Sequence, residues 1–159
     1  MAENFRKDLE FATLDEALEL ATEWVKLHAS GAQIKTSGEF SLGQILEHLA
    51  RSIDIGLGNT PVPKASWLMR GIARLMKNRF LRVGMKPGFQ LPAASQDLFW
   101  PETDVDPQEA LQHFAKSISD LLSTQGPIQH PYFGQMTQEE QVVLNCRHAE
   151  LHMNFVIAP

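Results

Sequence analysis

Cysteine is almost missing: Cys146 is the single one in 159 residues, which excludes an internal disulfide and fits a reducing compartment. Basic charge is in deficit, 14 Lys and Arg against 19 Asp and Glu for a net charge of −5. A general nucleic-acid binder needs a basic face to neutralise phosphates, so the balance argues against that class, though not against a local basic pocket. Long apolar runs are also absent. The charged start, Met1 to Asp8, is followed by no apolar stretch of signal-peptide length. Nowhere does the chain approach the ~20 apolar residues of a membrane span. The expectation is a cytoplasmic protein with neither a nucleic-acid nor a membrane partner. No internal repeat or low-complexity tract occurs. Hydrophobic residues make up 43% and charged residues 21%, the balance of a folded chain rather than a disordered one. The length suits a single domain over residues 1–159.

What the chain has in quantity is helix-start signals. Thr13-Leu-Asp-Glu16 and Ser41-Leu-Gly-Gln44 have the form of capping boxes, as does Thr137-Gln-Glu-Glu140. Asp106-Pro-Gln-Glu109 joins an N-cap to a proline at the first helical position. Apolar residues recur at helical spacing after each signal. They are Leu14, Leu18, Ala21 and Val25 up to Gly31, and Leu42, Ile45, Leu46, Leu49 and Ile53 up to Gly56 and Gly58. Ala110, Leu111, Phe114, Ile118 and Leu121 follow Asp106. A further helix opens near Ser66 and carries Trp67, Leu68, Ile72, Leu75 and Met76 toward Phe80. The last runs from Thr137 to about Phe155. Five helices and no convincing strand predict an all-α bundle. Val83 to Val105 is the longest irregular stretch, holding Pro87, Gly88, Pro92 and Pro101 beside Phe89, Phe99 and Trp100. It reads as a crossover whose aromatics seal the end of the bundle, or as a substrate lid.

Chemistry concentrates in the histidines. His148 and His152 stand four apart on the last helix, so their rings lie one above the other, within reach of one metal ion. On a helical wheel they border the apolar stripe of Leu144, Leu151 and Phe155 and face inward, with Gln141 in their sector. Buried rings with ordinary hydrogen-bond partners are the alternative, weakened because two inward imidazoles each need a partner. The run His148-Ala-Glu-Leu-His152 is not a zincin motif. Glu150 points away from the pair, and Cys146 reads as a small packing residue. A third ligand has to come from another element. His48 flanks the apolar face of its helix, with Glu47 outward, and His130 sits in the loop His130-Pro-Tyr-Phe-Gly134. The sequence alone does not rank one above the other. His28 suits a helix C-terminus, and His113 lies beside a core stripe. Gln141 and Asn145 are candidates to hold the rings' second nitrogens.

Three segments carry a resemblance: Phe11-Ala-Thr-Leu-Asp-Glu-Ala-Leu18, Ser41-Leu-Gly-Gln-Ile-Leu-Glu-His-Leu-Ala50, and His130-Pro-Tyr-Phe-Gly134 with the later His148-x-x-x-His152. In this order the chain resembles the DinB-like (YfiT-like) superfamily of metal-binding four-helix bundles, in particular a branch of domains of unknown function. The resemblance implies a four-helix bundle with an extra short helix and a long crossover loop. It also implies that His48, His148 and His152 bind one divalent ion, zinc or nickel, with open positions. It further implies thiol-dependent transfer or hydrolysis of a small molecule, a low-molecular-weight thiol as partner, and homodimers. A non-catalytic metal- or ligand-binding module is the competing function, and a plain helical interaction protein a third. No residue is singled out as catalytic, and Arg82 and Lys86 read as solvated charges rather than an anion site.

Overall fold

The computed structural model describes residues 8–63, 66–87 and 93–159, with the backbone alone for 93–95. Among these lie six helices: α1 (Leu14–Ala29), α2 (Leu42–Leu57), α3 (Trp67–Val83), α4 (Ala93–Phe99), α5 (Pro107–Ser123) and α6 (Gln138–Met153). Four of them, α1, α2, α5 and α6, pack on one another as a bundle, and α2 against α5 is the most extensive pairing. The fold class is all-α, as the helical spacing predicts. Helix α3 lies on α6, and α4 lies on α2.

The helices start where the chain supplies caps. Ser41 and Thr137 form complete capping boxes with Gln44 and Glu140. Asp106 accepts from the amides of Gln108 and Glu109 ahead of a first-turn proline. The first box differs in detail: Thr13 accepts from the Glu16 amide, but Glu16 reaches back to the Ala12 amide, at 2.7 Å. Each such cap contributes about 1 kcal/mol. The core is what the apolar stripes imply, with Trp24, Leu46, Leu49, Phe114, Ile118 and Leu121 essentially without exposure. Cys146 is buried among them.

Two features depart from the sequence reading. Strands exist, although short: β1 (Lys35–Thr36) pairs antiparallel with β4 (Val156–Ile157), and β2 (Ile128–His130) with β3 (Gly134–Met136). Two or three residues are too few for alternation to register. The second difference is α4, which lies within the stretch from Val83 to Val105 read as irregular. Of that stretch, Gly88, Phe89 and Pro92 lie outside the described residues.

The tight α2–α5 seam depends on Gly43. A Cβ there would sit 1.8 Å from the Val105 carbonyl oxygen, immediately before α5. Farther along the seam, His113 of α5 bridges two carboxylates of α2, Glu47 at 2.8 Å and Asp54 at 2.9 Å. Glu47, expected to face outward, is therefore largely covered, and it also pairs with Arg51. Burial disfavours the His113 cation, but hydrogen bonds and charges from Glu47 and Asp54 outweigh it and raise the pKa.

Two outcomes follow from this seam. Gly43→Ala forces α5 away and costs about 1–3 kcal/mol in chemical denaturation. His113 has a folded pKa above its unfolded value of about 6.5. Its stabilisation is complete below that pH and fades as pH rises through the folded pKa. Thermal melts of His113→Gln should lack this decline, a difference on the order of 0.5 kcal/mol for a pair this exposed.

Candidate metal centre

Helix α6 presents His148 and His152 one turn apart, and both turn toward α2. There His48, itself buried, completes a group of three. The Nε2 atom of His48 is 3.1 Å from the Nε2 of His148 and 3.1 Å from the Nε2 of His152. The nitrogens that could ligate an ion all lie within 4.8 Å of one another. Rings meet edge to face, with centroids 4.5–4.8 Å apart.

The tautomer of His48 follows from its surroundings. Its Nδ1 is 3.0 Å from the Phe99 carbonyl oxygen. A carbonyl only accepts, so Nδ1 carries the proton and the lone pair sits on Nε2, aimed at the other two rings. One lone pair accepts one good hydrogen bond, yet two nitrogens crowd it at equal distance. Burial holds all three rings neutral. It pushes His148 down to about 4 and His152 down to about 2, helped there by His148. His48 is pushed well below its ordinary value by burial, then by its two neighbours.

The donor set can be tested against a metal's own dimensions. Bonds of about 2.0–2.1 Å in a tetrahedron separate neighbouring nitrogens by about 3.3–3.4 Å, and right-angle coordination by about 2.9 Å. The observed 3.1 Å falls between these. Two of the three nitrogen pairs therefore have the spacing of ligands on one divalent ion, and all three nitrogens lie within 4.8 Å of one another. Three neutral imidazoles around such an ion would leave at least one position for a further ligand.

A slab of aromatic rings backs the cluster. Trp100 stacks on His48 at 3.8 Å and 4°, and Phe40 stacks on Trp100 from the far side at 3.7 Å. The Trp100 ring also meets the edge of His152. Gln44 ties this segment to the start of α2. Its Oε1 closes the capping box and its Nε2 donates to the Pro101 carbonyl at 3.1 Å. Phe99 and Trp100 are thus the residues that sequence reasoning undervalued. The readable signal is an adjacent aromatic pair in a long connection.

The other candidates lie elsewhere. His130 is buried, but its Nδ1 accepts from the Tyr132 and Phe133 amides of its own hairpin, at 3.1 and 3.2 Å. Gln141 donates to the Gly56 carbonyl and Asn145 to the Gln141 carbonyl, so neither holds a ring of the triad. Glu150 faces away as the wheel predicts, accepting from the Phe11 amide at 2.8 Å and pairing with Arg147. Burial pushes the Cys146 thiol up to about 11, which makes it a poor thiolate source. The Tyr132 hydroxyl is buried without a hydrogen-bond partner among the described residues, and its ring lies 6.2 Å from that of Phe99. His28 is exposed at the end of α1.

These contacts assign ring protons that long-range proton–nitrogen NMR spectra can read. His48 should carry its proton on Nδ1 and His130 on Nε2. The opposite tautomer at His48 would contradict the geometry.

A family model described as "Protein of unknown function (DUF1569)" covers residues 3–158. No curated protein and no solved structure matches the chain.

Proposed function

The chain belongs to the DUF1569 family, and we propose that it is a mononuclear metalloprotein in which His48, His148 and His152 hold one divalent ion, zinc or nickel. The observation that carries this reading is the pair of 3.1 Å Nε2–Nε2 separations around a His48 whose lone pair is oriented by the Phe99 carbonyl. Without an ion, the one lone pair on His48 Nε2 can accept from only one of the two nitrogens that face it, which leaves the other contact unmade. The likeness to the DinB-like superfamily supports the same ligand set.

The reaction class we favour is thiol-dependent transfer, or hydrolysis, of a small molecule. A divalent ion held by three neutral ligands keeps its full charge and acidifies a coordinated water or thiol. This chain's own part is to hold the ligands. The Phe99 carbonyl sets the tautomer of His48, Trp100 fixes its ring plane, and the rigid turn of α6 sets the spacing of the other two.

A second reading, a binding module without catalysis, is favoured by the commitment of the neighbouring carboxylates. Glu47 is held by Arg51 and His113, and Glu150 by Arg147 and the Phe11 amide. A thiol transfer asks for no separate general base, so the two readings part on activity with thiol and electrophile together.

Elemental analysis of protein purified without chelators should find about one equivalent of zinc or nickel per chain. His148→Ala/His152→Ala should lose it, and lose the thermal stabilisation that added metal confers. Trp100→Ala should keep the fold and weaken metal affinity by about ten- to hundredfold. Metal-free protein that takes up neither ion would remove the proposal.

A further inference from the structure

Helix α3 has no buried residue. Trp67, Leu68, Ile72 and Leu75 are 79%, 55%, 46% and 83% exposed. At ~100° per residue these four occupy one sector of the first half of the helix. The helix is held by its other side. Lys77 pairs with Glu140 at 3.0 Å, and the Phe80 ring meets the edge of Phe133 at 6.0 Å. Its charge is one-sided in sign as well: Arg70, Arg74, Lys77, Arg79 and Arg82, with no carboxylate, in a chain of net charge −5. Among the described residues, Lys77 alone of these five has an acidic partner, and the four arginines are exposed.

We propose that α3 is an interfacial helix that seats this chain on an anionic bilayer. Trp67, Leu68, Ile72 and Leu75 enter the boundary between headgroups and acyl chains, and the arginines bind the headgroup anions. A strongly basic helix of low mean hydropathy, with an exposed apolar face that includes tryptophan, has the composition of a surface-lying helix. Its 17 residues are not long and apolar enough to cross. Span length and signal-peptide pattern, the grounds on which no membrane partner is expected from the sequence, do not register a helix that lies on the surface.

Charge separates this occupant from a second copy of the chain. Arg79 and Arg82 continue the apolar sector into the last turns of α3. Two α3 helices paired antiparallel would bury those arginines against the partner's apolar half. Paired parallel, they would set cation against cation, which is unfavourable. An anionic bilayer offers an apolar layer and a continuous negative surface together.

The test is sedimentation of the metal-loaded full chain with phosphatidylcholine vesicles, with and without about one-third phosphatidylserine. The chain should pellet with the anionic vesicles and stay in solution with the neutral ones. Leu75→Glu, at an exposed position, should weaken binding at least tenfold with metal content and helicity unchanged. Arg79→Gln/Arg82→Gln should weaken it by about thirtyfold, from roughly 1 kcal/mol per cation near the surface. Absence of binding, or equal binding by Leu75→Glu, would overturn the proposal. So would a lipid-free dimer that Leu75→Glu dissociates, which would assign this face to a second copy.

Discussion

Three imidazole nitrogens forced together where α2 meets α6 make the most demanding requirement in this structure. Neutral rings at 3.1 Å cannot all satisfy one another, because each has one donor and one acceptor nitrogen. The cluster therefore has to be imposed from outside. Its supports can be traced: the i, i+4 spacing on α6, the buried position of His48 on α2, and the Phe99 carbonyl that fixes its tautomer. Such an arrangement is what a metal ion would relieve.

The supports connect local structure to the centre. Gln44 is at once the capping residue of α2 and the anchor of Pro101, so the cap that starts the helix also holds the segment bearing Trp100. Trp100 then stands between Phe40 and His48 as the middle ring of a stack. Gly43, one residue earlier, lets α5 come close enough to seal that end of α2. Stability and the candidate centre thus share the first turn of one helix.

Much of this was legible in the chain, and the boundary of legibility has physical causes. Hydroxyl and carboxylate caps act within four residues, so Ser41, Asp106 and Thr137 could be read directly. Helical spacing alone turns His148 and His152 inward and Glu150 away, and the contacts of Glu150 agree. The choice between His48 and His130 was not readable, because it depends on the hairpin that turns His130 Nδ1 onto its own amides. Helix α4 and the stacking of Trp100 were hidden for the same reason: each is decided by what the segment packs against. Periodicity likewise placed Trp67, Leu68, Ile72 and Leu75 on a helix without revealing that they stay exposed.

X-ray absorption on the zinc-loaded protein tests the three-histidine centre most directly. The expected neighbours are three imidazole nitrogens at about 2.0–2.1 Å with a lighter oxygen contribution, and no sulfur. A shell with a sulfur neighbour at about 2.3 Å, or one of oxygen alone, would contradict it.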